Sequence, residues 1–280
     1  MEFLTLNNGV KMPAVGFGVF QVPPAETEAA VRAAIETGYR LIDTAQAYGN
    51  EEGVGAAVAS CGLPREELFL TTKVWISNAG EAKAAASIDE SLRKLKTDYI
   101  DLLLIHQRYG DYYGTWRAMG KALESGKVRA IGLSNFDLAR IEDLILATGI
   151  TPAVLQLQAN VLCQQREMET YLAPHGIKMT AWGPLAEGSP DLFGSPVLAE
   201  IAKAHGKSVA QVALRWLLQR GIAVIPKSVH RERMQQNLDV FDFELTEAEM
   251  KAVKALNRND AGTVPFNDPK FIRYLIETYG

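Results

Sequence analysis

The chain has 280 residues, a formal net charge of −4, 48% apolar residues and 22% charged residues. That balance suits a folded globular chain and excludes the disordered and collagen-like classes. The mild acidity also argues against a nucleic-acid partner, because phosphate binding needs a basic surface. Cys61 and Cys163 are the two cysteines, which excludes a disulfide scaffold and offers no metal-ligand cluster, so two reduced thiols and no metal are expected. Met1–Thr5 has neither a basic nor an apolar run, so no secretory signal is expected. The longest uncharged stretch, Leu144 to Gln165, contains Gly149, Pro152, Gln156, Gln158, Asn160 and Gln164 and fails as a membrane span. A cytoplasmic monomer without membrane contact is the expectation.

In chain order, Phe3–Leu6 and Val10–Met12 flank Asn7-Asn8-Gly9 and predict a β-hairpin. Short apolar runs then recur at Ala14–Phe17, Arg40–Ile42, Leu68–Lys73, Ile100–Ile105, Val128–Leu133, Ala153–Leu157, Lys178–Trp182 and Ile222–Ile225, as buried parallel strands should read. Between them, amphipathic patterns predict helices over Glu26–Thr37, Ala82–Leu95, Tyr113–Ser125, Leu138–Ala147, Gln165–Ala173, Val197–Leu218 and Arg231–Leu238. Thr246-Glu247-Ala248-Glu249 is a capping-box pattern and starts a further helix ahead of an irregular tail. Eight strand–helix units predict an α/β fold, a (β/α)8 TIM barrel forming one domain over residues 1–280. The hairpin is then a plug over the N-terminal mouth, with the last helix and tail at the C-terminus. A doubly wound open sheet is the alternative.

Two glycine motifs lead nowhere. Gly16-Phe17-Gly18 lacks the third glycine of a dinucleotide fingerprint, since position 21 is Gln, and a bend at the end of the first strand explains the pair. Gly126-Lys127 lacks a correctly spaced upstream glycine, and Val128 stands where a phosphate loop has Ser or Thr.

In such a barrel the chemistry belongs to the C-terminal ends of the strands. Asp43, Lys73, His106, Ser134-Asn135, Gln156, Trp182 and Lys227-Ser228 fall there, and Tyr48 sits in the loop after Asp43. Each has a plainer reading alone: a helix cap for Asp43, a solvated Lys73, a core His106, turn packing for Tyr48, core packing for Trp182. Their joint placement suits carbonyl reduction. An oxygen that accepts hydride at its carbon develops negative charge and needs a proton donor. A free tyrosine, with a pKa of about 10, needs a neighbouring cation to stabilise its phenolate. Lys73 supplies that cation, Asp43 compensates Lys73, and His106 orients the substrate oxygen.

The segments 38–51 (GYRLIDTAQAYGNE), Thr72-Lys73-Val74-Trp75, Gly132-Leu133-Ser134-Asn135-Phe136 and Ile225-Pro226-Lys227-Ser228 through Arg233 to Asn237 resemble the aldo-keto reductase superfamily over essentially the whole chain. Ala181-Trp182-Gly183-Pro184-Leu185 and Val240-Phe241-Asp242-Phe243 resemble its bacterial 2,5-diketo-gluconate reductase-like members. The resemblance implies a barrel that uses NADPH/NADP+ to reduce small aldehydes and ketones, with a tetrad on Asp43, Tyr48, Lys73 and His106 and Tyr48 as general acid. It implies that Ser134, Asn135 and Gln156 hold the carboxamide and that Trp182 stacks on the nicotinamide. Gly183, Pro184 and Leu185 would line the pyrophosphate path, and Asn237 would lie near adenine. Lys227, Ser228 and Arg233 would surround the 2′-phosphate; a point charge, a hydroxyl and a guanidinium fork at a helix start suit that dianion.

By the same resemblance the substrate pocket takes Phe20, Ala47, Trp75 and Gln107, with Phe266 or Phe271 closing over it. Three departures stand out. Gln107-Arg108 replaces a common Trp-Pro or Gln-Pro; Arg108 by itself reads as a solvated surface arginine, and at the mouth it would favour substrates bearing a carboxylate or hydroxyls. The run 156–161 (QLQANV) replaces a common Glu, His, Pro run, and Gln236 replaces a common Glu near adenine. A cofactor-binding sensor without turnover is the competing function, as is an enzyme running chiefly as an alcohol dehydrogenase.

Overall fold

The computed structural model describes residues 2–258 and 264–279. A two-stranded antiparallel hairpin, β1 (Phe3–Thr5) and β2 (Lys11–Pro13), opens the chain. Eight parallel strands follow: β3 (Gly16–Gly18), β4 (Leu41–Asp43), β5 (Phe69–Val74), β6 (Leu102–Ile105), β7 (Ile131–Ser134), β8 (Val154–Gln158), β9 (Lys178–Trp182) and β10 (Ala223–Val224). They pair in sequence order. Val15 bridges in parallel to Val224, whose N–H donates to the Ala14 carbonyl at 2.9 Å, so the sheet closes into the (β/α)8 barrel.

Around it lie α1 (Pro24–Thr37), α2 (Glu51–Ser60), α3 (Glu81–Leu95), α4 (Tyr112–Glu124), α5 (Leu138–Thr148), α6 (Arg166–Leu172), α7 (Pro190–Phe193), α8 (Pro196–His205), α9 (Val209–Gln219), α10 (Arg231–Leu238), α11 (Glu247–Lys254) and α12 (Pro269–Tyr279). No helix among the described residues is long and apolar enough to cross a membrane.

The hairpin plugs the N-terminal end of the barrel. Leu6 and Met12 are buried in one apolar cluster with Leu41, Phe69, Leu102 and Leu104 of the barrel strands. Asn7 and Asn8 side chains donate to the Pro152 and Arg129 carbonyls at 2.9 and 2.8 Å, in the loops that enter β8 and β7. Burying that apolar surface is the main favourable term, about 25 cal/mol per Å².

Three expectations change, and one helix was not expected. The predicted helix over Val197–Leu218 is two helices, broken after Gly206, and Ser208 caps the second through a capping box with Gln211. The segment 51–60 is helical, although Gly53 and Gly55 dilute its propensity. Gly55 is there for space: a Cβ would meet the Lys94 carbonyl oxygen at 2.2 Å, where α2 crosses α3. At Gly16 the reason is likewise close approach rather than a bend, since a Cβ would lie 2.3 Å from the Leu41 side chain. Finally, the expected irregular tail ends in α12, an amphipathic helix; residues 259–263 of that tail lie outside the described residues.

Candidate active site

Strand alternation places the polar side chains. Along β5, Thr72 points out to α2, where its Oγ1 donates to Glu51 Oε1 at 2.7 Å, and Lys73 points into the barrel. Lys73 is 1% exposed, and all its directions are occupied. Its ammonium donates to Asp43 Oδ1 at 2.5 Å and to the Thr44 carbonyl at 2.9 Å, and reaches the Tyr48 hydroxyl at 3.5 Å. The other Asp43 oxygen, Oδ2, accepts from Gln156 Nε2 at 2.7 Å. A buried ion pair survives only when its remaining lone pairs and protons are satisfied, and this one meets that condition.

The electrostatics follow from this packing. Burial works against the Lys73 charge, but Asp43 and then Tyr48 more than offset it, so the ammonium sits above its ordinary pKa. At Tyr48 burial raises the pKa, Lys73 lowers it and Asp43 raises it again, with a net upward shift. Lys73 therefore pulls in the expected direction but does not acidify the free phenol, because burial outweighs it. The hydroxyl stays protonated at neutral pH, and a phenolate formed there has an ammonium in reach. His106 is buried, and desolvation followed by Lys73 pushes its pKa well below the usual histidine value, so the ring is neutral. Its Nδ1 is buried without a partner. The imidazole stands edge-on to Tyr48, with ring centroids 5.6 Å apart, and to Trp75 at 4.9 Å.

Supporting residues that sequence reasoning passed over fix the Tyr48 loop. Gln46 Oε1 accepts from the Trp75 backbone N–H and from Asn78 Nδ2, each at 2.9 Å. Asn50 accepts from Thr44 Oγ1 at 2.7 Å and donates to the Val19 carbonyl at 3.0 Å. Tyr48 is thus carried on a short 3-10 turn tied at both ends.

A cavity of about 1290 Å³ runs from this cluster along the barrel mouth. Asp43, Tyr48, His106, Ser134, Asn135, Gln156 and Trp182 line it, as do Gly183, Pro184 and Leu185, Lys227, Ser228, Arg233 and Asn237. Phe20, Ala47, Trp75 and Gln107 form its wall near Tyr48, with both Phe266 and Phe271 opposite. Asn135 holds the strained left-handed backbone at φ 62°, which asparagine tolerates better than most residues. Its side chain links two neighbours: Nδ2 donates to the His106 carbonyl at 3.1 Å, and Oδ1 accepts from Trp182 Nε1 at 2.9 Å. Lys227 and Arg233 are exposed and form no ion pair among the described residues, while Asn237 is 4% exposed.

Two candidates stand apart from the cavity surface. Lys73 does not line the cavity and touches Asp43 and Tyr48, which do. Arg108 does not line the cavity, contrary to its expected substrate role. Its guanidinium is turned away to Asp137 Oδ2 at 2.9 Å and Asn267 Oδ1 at 3.0 Å, because these partners satisfy a buried charge. Gln236 does line the cavity, and so do Ser208, Val209 and Ala210 at the start of α9 and Leu275 and Tyr279 of α12. The Ser208…Gln211 capping signal was present in the sequence and marks that helix start, and α12 has its own in Asp268, whose Oδ1 accepts from the Lys270 N–H at 2.8 Å ahead of the first turn.

With this geometry in hand, the comparisons with known proteins are specific. The model of the Aldo/keto reductase family matches residues 14–258. The glyoxal reductase of Bacillus subtilis (strain 168) is 46% identical over 261 residues, covering 92% of this chain and 94% of that protein. A crystal structure of an aldo/keto reductase from Brucella melitensis has a TM-score of 0.89 at 43% identity, covering 91% of this chain and 97% of that one. An aldo-keto reductase of Bombyx mori in complex with NADP has a TM-score of 0.89 at 35% identity, covering 95% and 96%. Matched in sequence and in fold along nearly its full length, the chain belongs to the aldo/keto reductase family.

Proposed function

We propose that this protein is an NADP-dependent oxidoreductase that reduces small aldehydes or ketones to alcohols, with Tyr48 as the proton donor. The observation that carries the reading is the Tyr48 hydroxyl, 3.5 Å from an ammonium that Asp43 holds, beside a neutral His106 at the floor of the cavity.

The residues present fit the cofactor. At about 1290 Å³ the cavity exceeds the roughly 300–1,000 Å³ of an ordinary small-molecule pocket, leaving room for a dinucleotide and a substrate together. Its far end offers two cations free of carboxylate partners among the described residues, Lys227 and Arg233, with Ser228 at the start of α10. The NADP complex of the Bombyx mori relative supports the same choice. Asn135, Ser134 and Gln156 would hold the carboxamide, Trp182 would face the ring, Gly183 to Leu185 would follow the pyrophosphate, and Asn237 would meet adenine. Bound there, NADPH supplies the hydride.

The chain's own groups do the rest. The neutral His106 donates an N–H to the carbonyl oxygen and orients it. Tyr48 gives its phenolic proton to that oxygen as charge develops, and Lys73 stabilises the phenolate until solvent returns the proton. Asp43 keeps Lys73 charged and in place. Segments 181–185 and 240–243 support a position near bacterial 2,5-diketo-gluconate reductases. The test is NADPH consumption with a panel of aldehydes, ketones and keto-acids, beside Tyr48→Phe. Turnover should drop by about 10²–10⁴ in the variant, the usual worth of a general acid. Unchanged turnover would remove Tyr48 from the role, and cofactor binding without any turnover would favour the sensor function.

A further inference from the structure

The residues after β6 have a task that neither the tetrad nor the cofactor groove uses. Arg108, 7% exposed, joins two distant parts of the chain: Asp137 at the start of α5 and Asn267 ahead of α12. Its guanidinium carbon also lies 5.3 Å from the centroid of the Phe266 ring, within cation–π range. Next to it, the Tyr109 hydroxyl donates to the Phe266 carbonyl at 2.6 Å. Two consecutive side chains therefore grip Phe266 and Asn267 by ring, backbone and amide. At the other end of α12, Trp75 Nε1 donates to the Tyr279 carbonyl at 2.7 Å. Between the two anchors, Phe266, Phe271, Leu275 and Tyr279 turn toward the cavity.

We infer that Arg108 is a specificity-determining positioning residue: with Tyr109 it holds Phe266 as the apolar wall of the substrate chamber, and that wall selects carbonyl compounds with an aromatic or similarly apolar tail. This deepens the functional reading above and rests on it. The tail of such a substrate loses water against Phe266 equally in the ground state and the transition state. The clamp therefore acts on KM and leaves the chemistry at Tyr48 alone. Holding the wall matters because the segment from Phe266 onward would otherwise lose conformational entropy each time it closed over a substrate.

The test has two arms. In the cofactor-free protein, Arg108→Ala and Asn267→Ala should each speed tryptic cleavage after Lys270 and Arg273 in α12. The exposed Asn267 serves as the second variant should Arg108→Ala fold poorly. In NADPH-coupled assays, both variants should raise KM for an aromatic aldehyde such as 4-nitrobenzaldehyde by about fivefold to tenfold, with kcat within about twofold, as expected for lost uniform binding of an apolar group. KM for glyoxal, which has no tail to reach the wall, should hardly move. The double variant should be no worse than the worse single one, because both substitutions release the same clamp. Unchanged cleavage, equal KM changes for the two aldehydes, or a loss confined to carboxylate-bearing substrates would each overturn the inference. Absence of carbonyl turnover in the unaltered protein would instead overturn the functional reading, and the cleavage arm would still decide the clamp.

Discussion

Two buried aspartates, at opposite ends of the barrel, show how one kind of ion pair serves different ends. Asp101, just before β6 at the plugged N-terminal end, is fully buried and saturated: Arg65 and Arg129 each bond it at 2.7 Å, and the Leu70 N–H donates to it at 2.9 Å. Asp43, at the end of β4, is nearly as buried, yet its partner Lys73 also reaches Tyr48, a group with a proton to give. Around Asp43 there is unfilled hydrogen-bonding capacity as well, on His106 Nδ1 and Gln107 Oε1. Completed pairing fixes structure; pairing that ends on a titratable hydroxyl beside a cavity can do chemistry.

The comparison breaks most sharply at Tyr48. Tyr48→Phe should cost about 10²–10⁴ in kcat and little in stability, since the ring packing between Phe20 and His106 remains. Urea unfolding beside steady-state kinetics would show it. Asp101→Asn should do the reverse. Breaking this pair should cost about 3 kcal/mol, the low end for a buried pair because both arginines keep some contact with water. Its kcat per folded molecule should stay put; a large fall in kcat would mean that the two ends are coupled.

Arg233→Ala should weaken NADPH binding by about 10–100-fold, the worth of a hydrogen bond to a charged group, while NADH binding changes little. Equal losses for both, measured by fluorescence titration, would move the 2′-phosphate elsewhere.

The smallest expected effect is on pH dependence. His106 has its folded-state pKa depressed below the ordinary 6.5 by burial and then by Lys73. Protonation therefore favours the unfolded chain, so the stability present above about pH 6.5 is lost progressively as pH falls toward the folded-state value. In His106→Gln that part of the slope should vanish. Titrating the His106 ring by NMR checks the direction: a normal or raised pKa would contradict the neutral imidazole.

The barrel was legible because its signals are local. Each strand is a short apolar run before a helix pattern, and closing eight of them brings the residues at their C-terminal ends to one mouth whatever their distance in sequence. Asp43, Lys73, His106, Asn135 and Trp182 could be named as strand-end residues for that reason. The helix break at Gly206 was also local, written in Ser208 and Gln211, and was obscured by the apolar periodicity running through it.

What only the tertiary structure decided depends on partners far along the chain. Arg108 reads as an exposed cation until Asn267, 159 residues away, and Asp137 take its charge out of the pocket. Helix α12 has a local start signal in Asp268, whose Oδ1 accepts from the Lys270 N–H, but nothing local shows that Trp75 meets its last turn across 204 residues. The direction of the Tyr48 shift was equally hidden, because sequence places a lysine nearby but does not weigh its charge against the cost of burial. Local pattern thus determined which residues meet; the packing around them determined their protonation, their orientation and which of them face the cavity.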